Sequence, residues 1–190
     1  VSEELIKREA PGAIVNWEAR LAEEARDEAA KEKVFAPRLS NQGGVLRIGG
    51  QEIQGNKVQA VILGSVFLKT LYEVPYVPDD PAPPSCWALA NEEEDLACTP
   101  ECWKQVSPKC AGCPANEWKS ADNNKGKACD DKRRLIIMAS TDLVSVEAIR
   151  QGEVYTLEIS PTGLKGWSLY KKGIKDNFNR PPHAMITEIS

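Results

Sequence analysis

Lys109-Cys-Ala-Gly-Cys-Pro-Ala-Asn-Glu-Trp-Lys-Ser-Ala-Asp-Asn-Asn-Lys-Gly-Lys-Ala-Cys129 is the densest part of a segment, Cys86 to Cys129, that holds all six cysteines of the chain. How these cysteines are used decides the kind of fold around them. Cys110 and Cys113 form a C-x2-C pair, in which Gly112 lets the backbone fold back and Pro114 stiffens the exit. A secreted disulfide domain spreads its cysteines to staple the whole chain. These crowd into one polar insert, which favours thiolate ligation of a metal over disulfides.

A structural zinc wants a tetrahedron of soft ligands. Cys86 and Cys129 bracket the insert, and tying them to the Cys110–Cys113 turn closes a long loop that lacks its own core. The expected metal ligands are therefore Cys86, Cys110, Cys113 and Cys129. Cys98 and Cys102 follow the acidic run Glu92-Glu-Glu-Asp95 and keep alternatives open. They can replace Cys86 and one other ligand, form a second pair, or stay free. A four-cysteine iron–sulfur cluster is another alternative, though nothing else in the sequence suggests redox chemistry. An all-cysteine shell is closed, so no catalytic zinc is implied.

Working outward, the insert (85–130) interrupts a β-patterned chain. Upstream, Val45-Leu-Arg-Ile48 sits between Gly43-Gly44 and Gly49-Gly50 and reads as a strand between turns. Lys57 to Lys69 reads as a buried strand, Thr70 to Tyr76 as the next, and Pro78 to Pro84 as the loop into the insert. Downstream, Leu135 to Met138 and Gly152 to Ile159 read as strands. Gly163 to Lys175 reads as a late helix with Thr162 as its cap, and His183 to Ile189 as a closing strand. Residues 1–34 read as an acidic helical arm, with Asn16 as a cap and Trp17, Leu21, Ala25 and Ala29 at near-helical spacing. The pattern predicts a mainly β domain over 35–190: an OB-like small Greek-key barrel with one late helix. An SH3-like barrel or an α+β sandwich is the alternative.

The net charge of −4 is unevenly spread: Lys and Arg are in slight excess from Lys119 onward, and the earlier part is acidic. A local basic face can bind nucleic acid in a globally acidic protein. No apolar run approaches a membrane span, and no secretion signal is read at the start. A cytoplasmic protein with reduced cysteines is expected.

Several segments together resemble a known group. They are a lone Cys86-Trp87 after a Pro-rich loop, Cys110-Ala-Gly-Cys-Pro-Ala-Asn-Glu-Trp-Lys-Ser120, Gly126-Lys-Ala-Cys129, Arg133-Arg-Leu135, Ser160 to Tyr170 and Met185 to Ile189. Residues 35–190 resemble a family of tailed-bacteriophage proteins similar to single-stranded DNA-binding proteins of the OB type with a four-cysteine insert. The arm lies outside the resemblance, and Cys98 and Cys102 depart from the family's pattern. The resemblance implies a phage replication or recombination protein that coats single strands in the host cell.

A sequence-neutral single-strand binder needs cations along the phosphates and aromatic faces under the bases. Candidate cations are Lys119, Lys125, Lys127, Lys132, Arg133 and Arg134, with Lys165, Lys171, Lys172 and Lys175 on the late helix. Candidate stackers are Trp87, Trp103, Trp118, Tyr72 and Tyr76. The plainer readings stand beside these: Trp118 covering the metal turn, Trp167 and Tyr170 in the core, and the Lys runs as solvated surface. The lone His183 reads as structural. No paired-carboxylate, nucleophile or phosphate-loop signature is present, and the His-x-Glu half of a zinc deaminase is missing. The expected function is non-enzymatic single-stranded DNA binding with structural zinc and possible recruitment of phage or host replication proteins. The alternative is a metal-stabilised module that docks replication or transcription machinery.

Overall fold

The computed structural model describes residues 36–74 and 82–190, together with Trp17, Arg20 and Leu21. The chain divides into two units, Val1–Phe35 and Ala36–Ser190. In the first, the three described residues are helical; the rest of the expected arm lies outside the described residues, as does Tyr76.

The second unit is built on one eight-stranded sheet. Its strands are β1 (Arg38–Gln42), β2 (Val45–Ile48), β3 (Gln51–Glu52), β4 (Val58–Leu71), β5 (Cys86–Ala90), β6 (Cys129–Ala139), β7 (Val154–Ile159) and β8 (Ile186–Ile189). Two helices join them, α1 (Val146–Gln151) and α2 (Leu164–Phe178). The strand order is β3-β2-β1-β7-β6-β4-β5, with β8 also paired to β4. All pairings are antiparallel except β1 with β7. No helix among the described residues is long and apolar enough to cross a membrane.

The glycine pairs make the first meander. Gly43 and Gly44 have φ of 62° and 77°, and they join Gln42 to Val45 across a two-residue turn. Such turns need positive φ at both central positions, which glycine adopts without a Cβ penalty. The hairpin explains β1, a polar strand in which Leu39 is the sole large apolar residue. Leu39 pairs with Leu157 and is buried.

β4 is the spine. Its apolar run continues through Thr70 and Leu71 without a break, so no separate strand starts at Thr70. A register irregularity between Ile62 and Gly64 bends it, as expected of a bulge at a residue lacking Cβ. Along one edge β4 pairs with β6. Along the other, Val58–Val61 take β8 and Phe67–Leu71 take β5.

The core lies on one face of this sheet. Leu39, Leu157 and Leu135 form a row across β1, β7 and β6, and Ile62 and Ile137 form the next. Trp167 of α2, 7% exposed, covers these rows, with Tyr170 stacked on it at 5.6 Å. The helix is entered through a 3₁₀ turn at Pro161–Gly163 rather than capped by Thr162, whose hydroxyl instead meets that of Ser160 at 3.0 Å. Asn179 in the left-handed region ends it, its N–H bonded to the Lys175 carbonyl. The closing strand begins at Ile186, because Pro182–Ala184 form a 3₁₀ turn.

Candidate metal centre and its surroundings

Strand register places the first and last cysteines. Leu71 of β4 pairs with Cys86 on one edge and with Cys129 on the other. Directly opposed residues share a sheet face, so Cys86, Leu71 and Cys129 lie in one row. That row continues the core face: Leu135, Arg133, Asp131 and Cys129 alternate down β6 on the same side. The two cysteines that bracket the insert belong to the sheet itself: each is the first residue of a strand.

Beyond β5 the chain doubles back. A 3₁₀ turn at Glu93–Asp95 and the buried Leu96 return it, and Cys98 bridges to Ala88. The Thr99 N–H donates to the Trp87 carbonyl at 3.2 Å. This brings Cys98 Sγ to 3.4 Å from Cys86 Sγ. Cys102 joins them, and the sulfurs of Cys86, Cys98 and Cys102 all lie within 4.8 Å of one another. Tetrahedral thiolates around zinc at ~2.3 Å stand about 3.8 Å apart, so the trio has the spacing to hold a metal. No other group of three potential ligands this close occurs among the described residues.

Electrostatics differ within the trio. Burial pushes the Cys98 thiol up, and its contacts with Cys102 and Cys86 add to this. Burial works against ionisation of Cys102 too, but hydrogen bonds from Cys98, Thr99 and the Trp87 backbone outweigh it and hold that thiol below its ordinary value. The Trp87 N–H donates to Cys102 Sγ at 3.1 Å.

The C-x2-C turn packs beside this trio. The Cys113 N–H donates to the Cys110 carbonyl at 3.3 Å across Gly112, whose φ is 73°. Cys110, Cys113 and Cys129 line a small cavity together with Cys86 and Lys69. Burial raises the thiols of Cys110 and Cys129, the latter to about 12, against the pull of the Lys69 ammonium. Cys86 is common to the trio and to this cavity. All four expected ligands thus line one cavity, but the sulfurs at metal-ligand spacing are those of Cys86, Cys98 and Cys102, and only Cys86 belongs to both sets.

A polar clamp fixes the turn to the sheet. Lys69 of β4 is 4% exposed. It donates to Asn116 Oδ1 at 2.9 Å and is ion-paired with Asp131 of β6. Lys127 reaches the same two groups, at 3.1 Å and 2.9 Å. Asn116 Nδ2 donates to the Cys110 carbonyl at 3.1 Å. Lys69 and Asn116 carried no signal in the sequence, since a lysine in an apolar strand reads as a strand end.

The other candidate residues separate clearly. Trp118 and Trp103 are 72% and 63% exposed, and Lys119 and Lys125 are exposed on the same insert. Tyr72 is exposed, with the Lys132 ammonium 5.0 Å from its ring. Trp87 is half-buried. Lys127 is committed to the clamp. The Lys132-Arg-Arg134 run is divided by strand alternation. Arg133 lies over Phe67 on the cysteine face, while Lys132 and Arg134 point to the opposite one. Arg134 pairs with Glu158 at 2.9 Å, and Lys132 has Asp130 at 3.8 Å. Lys171 is exposed on α2, 5.4 Å from the Trp167 ring.

Compared with protein-family models, with curated proteins and with solved structures, the chain matches none.

Proposed function

We propose that the chain binds single-stranded DNA without sequence preference, as a phage replication or recombination protein, and that zinc clips its cysteine insert. The observation that carries the DNA reading is the exposure of Trp118 and Trp103 in an insert that also exposes Lys119 and Lys125. Large indoles held in water have no packing reason to be there, while stacking on a base contributes ~1–3 kcal/mol. Zinc is favoured as the metal because soft thiolates in a closed shell select it over hard cations.

The strand order supports an OB-type barrel. β1, β7, β6, β4 and β8 are successive neighbours, α2 leads from β7 to β8, and β1 runs parallel to β7. Counted from β4, the helix follows the third strand, and β1 takes the place of the fifth. OB barrels bind oligonucleotides on their second and third strands and on the loop between the first and second. In this reading those are β6, β7 and the cysteine insert, and the exposed Trp118, Lys119 and Lys125 are the insert residues offered to a single strand.

Titration with oligo-dT at low salt tests this: tryptophan fluorescence should be quenched, and the effect should weaken as salt rises. No change at low salt would sink the reading. A protein-docking module is the second reading, favoured by the exposed apolar residues Val144, Val146 and Ile149 on and before α1. A partner complex that survives nuclease and is lost in a Val146→Asp, Ile149→Asp variant would support it.

A further inference from the structure

Two of the six cysteines stand between the other four. Cys86 is within 4.8 Å of Cys98 and Cys102, and it also lines the cavity with Cys110, Cys113 and Cys129. Cys110 also stands between the two groups: Lys109 beside it bridges to Ala97 beside Cys98, and its own N–H donates to the Leu96 carbonyl at 3.0 Å, while it lines the cavity with Cys113 and Cys129. Cys86 and Cys110 therefore lie between Cys98 and Cys102 on one side and Cys113 and Cys129 on the other.

We propose that these six cysteines hold two zinc ions as one cluster with Cys86 and Cys110 as shared ligands. One ion is bound by Cys86, Cys98, Cys102 and Cys110, and the other by Cys86, Cys110, Cys113 and Cys129. The proposal rests on the zinc reading above and extends it from one ion to a pair. Six thiolates complete two four-coordinate shells when a pair of them bridges. Each thiol releases its proton to solvent as the metal binds.

A single-ion site leaves two sulfurs over. On the Cys86, Cys98 and Cys102 side it strands Cys113 and Cys129, both buried. On the other side it strands Cys98 and Cys102, although these already sit at metal-ligand spacing from Cys86. The shared arrangement uses every cysteine. It leaves the cluster anionic, and the buried Lys69 ammonium, which lines the same cavity as Cys86, Cys110, Cys113 and Cys129, is placed to offset that charge.

The test is elemental analysis of the purified full chain, followed by cadmium-113 spectra of the exchanged protein. The expected result is two zinc ions per chain and two thiolate-bound cadmium resonances, each split by the other through shared sulfur. The Cys98→Ser, Cys102→Ser double variant should keep one ion. One zinc per chain in the parent protein, two resonances without mutual splitting, or two ions in the double variant would each overturn the cluster while leaving a zinc clip in place. A protein that neither contains zinc nor takes it up would overturn both readings.

Discussion

Cys86 and Cys129 face each other across a single residue: both pair with Leu71 of β4, one on each edge. Strands in a sheet lie ~4.8 Å apart, which puts the two backbones about 10 Å from each other. The two ends of the insert are thus fixed by ladder hydrogen bonds before any metal binds. A metal need only draw the intervening chain down onto a row that the sheet has already set.

Metal removal should consequently loosen the insert more than the sheet. We expect chelation to lower the melting temperature by about 10 °C, the equivalent of ~4 kcal/mol in a domain of this size for a site held a thousandfold above its dissociation constant. Far-ultraviolet circular dichroism below the transition should change little. Calorimetry with and without chelator, read beside the spectra, checks this.

Trp118→Ala should weaken oligo-dT binding by about 5- to 150-fold, the range that corresponds to losing one stacked base. Its side chain is largely in water, so the melting temperature should stay within a degree or two. Lys125→Ala should flatten the salt dependence instead, by removing a phosphate contact. Fluorescence titrations at several salt concentrations separate the two effects.

Asp131→Asn removes the charge partner of a lysine that is 4% exposed. Leaving a buried cation without its anion costs ~3–5 kcal/mol. Lys69→Met should cost less, because Asp131 keeps Lys127 at 2.9 Å and the new side chain is apolar. Urea unfolding of the two variants should rank them in that order.

Trp167→Ala should cost ~3–5 kcal/mol as a large core truncation. Trp167→Phe should cost much less, since the buried Nε1 has no hydrogen-bond partner among the described residues and only packing is lost. Equilibrium unfolding of both variants measures the difference.

Tyr155 provides a pH dependence. Its hydroxyl donates to Glu153 at 2.7 Å, and this bond, with burial, raises its pKa. The folded protein therefore holds the phenolic proton more tightly than the unfolded chain. The resulting stability is fully present below the unfolded value of ~10 and is lost as pH rises through the folded one. The stability difference between the parent and Tyr155→Phe should shrink above pH ~10 in denaturant titrations.

The sequence carried the strands through alternation, as in Val154–Ile159, and the turns through the glycine pairs flanking Val45–Ile48. It also placed Trp167 and Tyr170 in the core through helical spacing. β1 was hidden because Arg-Leu-Ser-Asn-Gln is polar, and only the hairpin and its pairing with β7 make it a strand. β5 is hidden because Cys86-Trp-Ala-Leu-Ala90 is too short to show a strand pattern of its own and becomes one only on the free edge of β4. The proximity of Cys98 to Cys86 depends on the return at Leu96, a tertiary contact with no local signature. Lys69 was likewise invisible, since its role needs Asn116 and Asp131 brought in from distant segments.

The divided edge of β4 has one more consequence. Val58–Val61 are covered by β8 alone, a four-residue strand drawn from the far end of the domain. Should β8 detach, Val58-Gln-Ala-Val-Ile-Leu63 would present open amide and carbonyl groups on an apolar, uncharged strand, the kind of edge that recruits other chains. The short terminal strand thus guards the protein against self-association, and loss of Ile186–Ile189 should show first as aggregation rather than as loss of the core.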